Sequence, residues 1–331
     1  MNKQRINRKG VALFCIILVL VLIIIYGGLR ILESAVFNSS TNEQDQSEDK
    51  TTKTVTIDGV DYFPRQDITV MLLIGVDKFG PVESSNFNRN DGDADMVALL
   101  IFDEKNSECD VLYLNRDTML TMPAVGIGGK PAGTTYGQLA LAHTYGTGLS
   151  DSCELTKIAV SDFLNGVNID YYLSMNMDAI SILNDAVGGV TVNVVDDFSS
   201  VDPTITMGEM KLSGEQALVY VRSRQNVADQ KNVSRIERQK DYIQNFIRAF
   251  HEKQNSGIDF ALSTYEKVSD YIVTDCSVNT FSNLMSKYKD YEIKEIVTPE
   301  GENILGDMYY EFHADEEKLL ELVIELFYAP K

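Results

Sequence analysis

Two carboxylates and a run of arginines hold the chemistry legible in this sequence. Asp77 and Asp95 each stand at the end of a predicted buried strand, on either side of a loop rich in Asn, Asp and Gly over 79–92. Strand ends present side chains to a crevice. A hard cation such as Mg²⁺ takes one or two carboxylates and completes its shell with phosphate oxygens and water, so this pair has suitable chemistry. The competing reading is turn chemistry, because Asp starts turns by bonding its own backbone. Asp91 and Asp93 add carboxylates nearby, in a D-x-D-x-D run that lacks the later Glu of a calcium loop.

The arginines are more specific. Arg222 and Arg224 follow a helical stretch, Gly214 to Val221, and Arg235 and Arg238 fall in the first turn of the next helix. At i, i+3 the latter two share a face turned from the Ile236/Ile243 stripe. Arginine binds phosphate oxygens as a planar fork, and a helix N-terminus adds unsatisfied N–H groups. Between Arg222 and Lys240 six basic residues meet two acidic ones, a local +4 in a chain of net charge −20. That contrast suggests an anion pocket; the alternative is a set of arginines paired with surface carboxylates, which are worth little individually. Arg116 ends a strand before Asp117 and either joins this cluster or pairs with Asp117.

The elements that must position these residues alternate between strands and helices. Strands are predicted at Ile68 to Val76, Met96 to Phe102, Val111 to Leu114, Ile169 to Met175, Val190 to Val194 and Glu292 to Val297. Helices are predicted at Gly137 to Tyr145, Ser150 to Leu164, Asp178 to Val187 and Ala314 to Phe327, and from about Arg235, where Ser234 and Glu237 form a capping-box pair. The order argues for one α/β domain over residues 67–330, a mixed central sheet flanked by helices in an αβα-type sandwich.

Residues 1–10 are basic (Lys3, Arg5, Arg8, Lys9), and the apolar run over 11–29 is close to the length a bilayer core requires. This predicts an uncleaved single-pass anchor with its N-terminus in the cytoplasm and the domain outside, in a Gram-positive-type envelope. A cleaved signal peptide is the alternative, with Ser34 and Ala35 as small residues for a cleavage site, although the apolar run is long for one. Residues 38–54 are almost wholly polar and read as a flexible extracellular linker.

Without its four N-terminal basic residues the chain carries −24, because no Asp or Glu precedes residue 30. Such a surface repels nucleic acid, and DNA regulation is not expected. With Cys109, Cys153 and Cys276 outside the apolar run, at most one disulfide can form, and three histidines give no zinc spacing.

In order along the chain stand Leu72-Leu-Ile-Gly-Val-Asp77, Asp95-Met-Val-Ala-Leu-Leu, Asn115-Arg-Asp-Thr118, Ala142-His-Thr-Tyr-Gly146, Asp185-Ala-Val-Gly-Gly-Val-Thr191, Leu212-Ser-Gly-Glu-Gln-Ala-Leu-Val-Tyr-Val-Arg-Ser-Arg224 and Ser234-Arg-Ile-Glu-Arg-Gln239. This ordered set resembles the LytR-CpsA-Psr family over nearly all of residues 67–330. The resemblance implies a phosphotransferase of cell wall biogenesis that moves an anionic glycopolymer, such as a teichoic acid or capsule chain, from polyprenyl pyrophosphate to peptidoglycan. Asp77 and Asp95 would then hold Mg²⁺ against the pyrophosphate, and Arg116 would contact the reacting phosphoryl group. Arg222, Arg224, Arg235 and Arg238 would bind the remaining oxygens, with Gln239 in support. The polyprenyl tail would lie in an apolar groove between sheet and helices. Two other readings share the arginine pocket: a non-catalytic sensor of lipid-linked phosphates, and a polyprenyl pyrophosphate hydrolase.

Departures from the family pattern fall at the site itself. Many members carry Arg two residues after the first Asp and Arg or Gln two before the second, where this chain has Phe79 and Asp93. Lys and Asn are common where Gln138 and Ala140 stand. Asn232 occupies a frequently acidic position, which shifts any general-base role to Asp229 or to a metal-bound hydroxyl.

Overall fold

The structure, a computed structural model, describes residues 54–330 except 58, 86–91, 127–129, 224–226, 228–237, 239–240, 307–308 and scattered positions between 243 and 290. The predicted anchor and nearly all of the linker lie outside the described residues, as do Asp91, Arg224, Asp229, Asn232, the Ser234/Glu237 box, Arg235 and Gln239. Among the described residues no helix is long and apolar enough to cross a membrane.

A hairpin of β1 (Val55–Ile57) and β2 (Val60–Pro64) leads into β3 (Ile68–Val76), β4 (Ala94–Asp103) and β5 (Glu108–Leu114), then into a second hairpin of β6 (Met119–Val125) and β7 (Pro131–Gln138). A 3-10 helix over Leu139–Tyr145 precedes α1 (Ser150–Phe163), β8 (Tyr171–Asn176), α2 (Asp178–Ala186), the antiparallel pair β9 (Val190–Val194) and β10 (Gly208–Leu212), and α3 (Gly214–Arg222). Beyond a helical region containing Arg238, Tyr242, Phe246 and Phe250 come β11 (Ile272–Thr274), β12 (Glu292–Val297), the hairpin of β13 (Gly301–Leu305) and β14 (Tyr310–Ala314), α4 (Glu316–Phe327) and β15 (Tyr328–Pro330).

The central sheet has the order β11-β8-β3-β4-β5-β12 and is mixed as expected: β8 runs parallel to β3 and β12 to β5, while the other pairs are antiparallel. β3 reads as an unbroken apolar run because both faces of the sheet are covered. Met71 and Leu73 pack with Leu183, Ala217, Tyr220, Phe246 and Phe250 on one side. Val70, Leu72 and Ile74 pack with Ala142, Val160, Leu319 and Val323 on the other. The helix predicted over Gly137 to Tyr145 is corrected: β7 runs through Gln138, and only Leu139–Tyr145 is helical, in the tighter 3-10 form. The hairpins β6/β7 and β13/β14 carry no comparable signal in the sequence, since one strand of each, β7 and β13, is mostly exposed and lacks the apolar alternation by which strands are read.

One buried ion pair fixes the start of β3 to the end of β4. Arg65 donates to Asp67 from Nε (3.0 Å) and to Asp103 from Nη2 (2.7 Å), while Asp103 also accepts from the backbone N–H of Lys105 and Asn106. Burial alone would raise the Asp103 carboxyl, but these donors outweigh it and hold it down at about 2. A depressed carboxyl contributes stability that is complete above its unfolded value near 4 and is lost as pH falls through about 2. Asp103→Asn is therefore expected to cost on the order of 2 kcal/mol at pH 7. The deficit relative to the parent should shrink between pH 4 and pH 2 in urea titrations; a deficit independent of pH would refute the ion-pair account.

Candidate active site

The site is built on a β-bulge. Gly75 pairs with Met96 and Val76 with Ala94, so Asp95 is the extra residue of β4, unpaired across the ladder. A bulge re-aims one side chain and is frequent beside active sites. Here it falls at the start of β4, before the continuous buried run, and turns Asp95 toward Arg116. Gly75 permits the tight register, since a Cβ there would lie 3.1 Å from Cβ of Met96. One residue past β3, the Asp77 N–H donates to the carbonyl of Asp93 (2.9 Å), which holds the ends of β3 and β4 together. The backbone is held at two more described points, Gly92 and Gly80. His143 is buried, and its Nδ1 lies 2.9 Å from the carbonyl of Gly92; because a carbonyl only accepts, Nδ1 carries the proton. Burial lowers the His143 pKa, so the ring is neutral at pH 7. Asp178 accepts from the Gly80 N–H at 2.5 Å.

Arg116 sits in a turn made by its neighbours: the Asp117 N–H donates to Oδ1 of Asn115 (3.0 Å), and the Thr118 hydroxyl to the Asn115 carbonyl (2.6 Å). Its guanidinium makes an ion pair with Asp95 and lies 3.6 Å from carboxylate oxygens of both Asp93 and Asp117. Asp95 is thus the close partner of Arg116, and Asp117 a more distant one. Oδ1 of Asp95 is buried and has no hydrogen-bond partner among the described residues beyond that ion pair.

Arg222 reaches the same crevice from the C-terminus of α3. It donates to Oδ1 of Asp77 (2.9 Å) and lies over the Phe79 ring, 5.1 Å from its centroid. The helix is well determined at its start, where Ser213 and Gln216 form a capping box and Gly214 approaches the Ser181 carbonyl and the Asp185 carboxylate too closely for any Cβ. Beside Arg222 opens a cavity of about 710 Å³ whose wall mixes Phe79, Ile182, Val201, Leu218, Val219 and Tyr271 with the carboxylates Asp178, Asp185 and Glu215.

Arg238 is placed differently from the expected oxygen-binding role. It is 3% exposed, and its three nitrogens donate to the carbonyls of Tyr220 (3.1 Å) and Ser223 and to Asp196 (2.5 Å), with Phe198 stacked against it. It caps the last turn of α3, as a cation at a helix C-terminus does, and so positions Arg222. Asp196 and Phe198 gave no sequence signal, because they lie in an irregular segment after β9.

The structure thus brings Asp77, Asp95, Arg116 and Arg222 to one end of the sheet. Asp77 and Asp95 also suit a metal: hard oxygen donors at adjacent strand ends, one with a buried oxygen bonded to nothing else but an arginine. Among the described residues no group of three His, Cys, Asp or Glu could hold an ion unaided, so substrate or water oxygens would have to complete the shell.

The LytR_cpsA_psr family model matches residues 31–326. The chain belongs to the LytR-CpsA-Psr family. Among curated LytR-CpsA-Psr relatives, the polyisoprenyl-teichoic acid–peptidoglycan teichoic acid transferase TagU of Bacillus subtilis (strain 168) is 26% identical over 98% of this chain and 97% of its own length. TagU of Halalkalibacterium halodurans is 29% identical over 76% of each chain. Among solved structures, protein gbs0355 of Streptococcus agalactiae superposes with TM-score 0.63 at 25% identity, covering 78% of this chain and 86% of that one. TagT bound to LI-WTA matches with TM-score 0.57 at 22% identity, over 79% and 90%. The mixed six-stranded sheet and its helices are therefore the LytR-CpsA-Psr fold.

Proposed function

We propose that this protein is a transferase that moves a teichoic acid-like glycopolymer from a polyisoprenyl pyrophosphate carrier to peptidoglycan, with Mg²⁺ at Asp77 and Asp95. The observation that carries it is the convergence of two arginines and two carboxylates at one strand end. An anion binder gains nothing from two carboxylates unless a cation intervenes. Supporting it are the teichoic acid transferases among the relatives and the cavity beside Arg222, whose partly apolar wall offers room for part of the carrier. We also place residues 11–29 in the cytoplasmic membrane, with the domain on the outer face.

In the reaction the acceptor hydroxyl oxygen attacks the phosphorus that bears the glycopolymer, the phosphoanhydride bond breaks, and polyisoprenyl phosphate leaves with the anhydride oxygen; the hydroxyl proton passes to a base or to water. The metal ion, when bound, neutralises pyrophosphate charge. Arg116, freed from Asp95, turns its fork to the transferring phosphoryl oxygens, and Arg222 leaves Asp77 for the other phosphate. Phosphoryl transfer asks for this positioning and charge neutralisation more than for covalent participation by the protein.

The test is incubation of the purified chain with a polyprenyl-pyrophosphate glycan and peptidoglycan oligomers. Transfer is expected with Mg²⁺, and its loss with EDTA and in Asp95→Ala. Tight lipid binding without transfer or hydrolysis under any metal would sink the enzyme reading in favour of a sensor, and release to water alone would make it a hydrolase.

A further inference from the structure

Two residues beyond Asp77 stands Phe79, a large aromatic side chain that is 51% exposed and belongs to neither buried apolar cluster. Its backbone, not the packing of its ring, fixes where it stands. Both peptide groups that flank it are bonded to the end of β8 and the start of α2. The Lys78 carbonyl accepts from the Met177 N–H (3.0 Å), and the Gly80 N–H donates to Asp178 (2.5 Å). A third bond runs from the Asn176 side-chain amide to the Gly80 carbonyl (2.9 Å). Asn176 is buried and pairs with Val76 in the parallel register of β3 and β8, so the clamp is rooted in the central sheet. Gly80 has φ +81°, and a Cβ there would meet nothing within 4 Å; glycine is needed for the left-handed backbone and not for space.

What the clamped ring holds is Arg222. The guanidinium carbon lies over the ring, 5.1 Å from its centroid, while Nη2 donates to Asp77 (2.9 Å). These two contacts differ in kind. The carboxylate takes a particular N–H, one that a phosphate oxygen would also take. The ring face attracts the delocalised cation as a whole and uses none of its N–H groups. When Arg222 gives up Asp77 for a phosphate, the ion pair must break, but the ring contact need not. Arg222 is half-exposed. Without the ring, such a long side chain would regain its rotamer freedom on leaving Asp77, and the incoming phosphate would have to order it again.

We propose that Phe79 is a positioning residue for the donor: its clamped ring keeps Arg222 beside the cavity while the guanidinium exchanges Asp77 for a phosphate of the isoprenoid pyrophosphate. This rests on the transferase reading for what the pyrophosphate carries, though not for its binding. Phe79 also lines the cavity, so a ring that merely walls the isoprenoid chain is the competing role. The two differ in one respect: positioning acts through Arg222 and vanishes with it, whereas a wall acts whether or not Arg222 is present.

Calorimetric titration of the full chain in detergent micelles with geranylgeranyl pyrophosphate and Mg²⁺ tests this. Phe79→Leu keeps apolar bulk but removes the π face, and should weaken binding about three- to tenfold, whereas Phe79→Tyr stays within about twofold. In an Arg222→Ala background the same Phe79→Leu change should cost less than about 1.5-fold, because no cation is left to hold. In transfer assays Phe79→Leu should raise the donor KM by the factor seen in the titration and leave kcat within about twofold, a split that a general loss of folded protein does not produce. Equal binding by the parent and Phe79→Leu would overturn the proposal. So would an equal loss in both backgrounds, which would make the ring a wall. A parent chain that binds the probe but never transfers a glycopolymer would sink the transferase reading and leave the positioning role standing, while a parent that does not bind the probe would overturn both.

Discussion

Arg116→Ala is expected to lower glycopolymer transfer by on the order of 10³-fold or more while increasing the stabilisation that Mg²⁺ confers. The two effects have opposite signs because Arg116 has two partners. In the resting site its guanidinium is held by Asp95, with Asp93 and Asp117 close by, so it occupies the carboxylate that the metal would use. Removing it leaves Asp95 with a buried oxygen that has no other partner, and a divalent cation then binds without displacing a competing charge. In the proposed reaction the same guanidinium turns to the phosphoryl oxygens, where loss of one preorganised donor typically costs 10² to 10³ and loss of a transition-state arginine 10³ to 10⁵. Arg116→Lys should restore less than a tenth of the parent rate, since a point charge does not reproduce the planar fork. Transfer assays at saturating Mg²⁺, with melting curves across a Mg²⁺ series, check both. A variant that loses activity but shows the parent's Mg²⁺ response would remove the metal from Asp95 and leave the arginine's role intact.

What could be read from the sequence divides by how local the cause is. β3, β9 and β12 were placed at their observed ends, and α1, α2 and α3 within a residue or so, because buried runs, helix periodicity and Gly or Ser boundaries act over a few residues. Asp77 and Asp95 were legible as strand-end carboxylates for the same reason. The bulge that singles out Asp95 was not, since a bulge is a property of two paired strands and β4 alone reads as a regular run. Nor was the division among the arginines. Arg222 and Arg238 look equivalent as basic residues near helix ends, but one is half-exposed against Asp77 and the other is enclosed by Tyr220, Ser223, Asp196 and Phe198, which come together only when the segment after β9 folds over α3. Gln138, a departure from the family pattern, likewise becomes intelligible only beside Tyr310, 172 residues away.

The buried arginine is where the structure departs most from a uniform phosphate-binding cluster, and it yields the second large effect. Arg238→Ala should lower unfolding free energy by roughly 3 to 5 kcal/mol, the range for breaking a buried, hydrogen-bonded ion pair from one side. The loss has three sources: Asp196 keeps its charge without a partner, the carbonyls at the end of α3 lose their donors, and the Phe198 ring loses the guanidinium packed on it. Lysine at this position cannot span three acceptors, so Arg238→Lys should recover less than half of the deficit. A residue that bound phosphate directly would behave otherwise: lysine would keep stability within about 0.5 kcal/mol of the parent and raise the KM for the donor. Urea unfolding with donor-dependent kinetics separates the two. In the positioning case, Arg238→Lys loses midpoint first, and donor affinity falls only as far as Arg222 is released from its place at the end of α3.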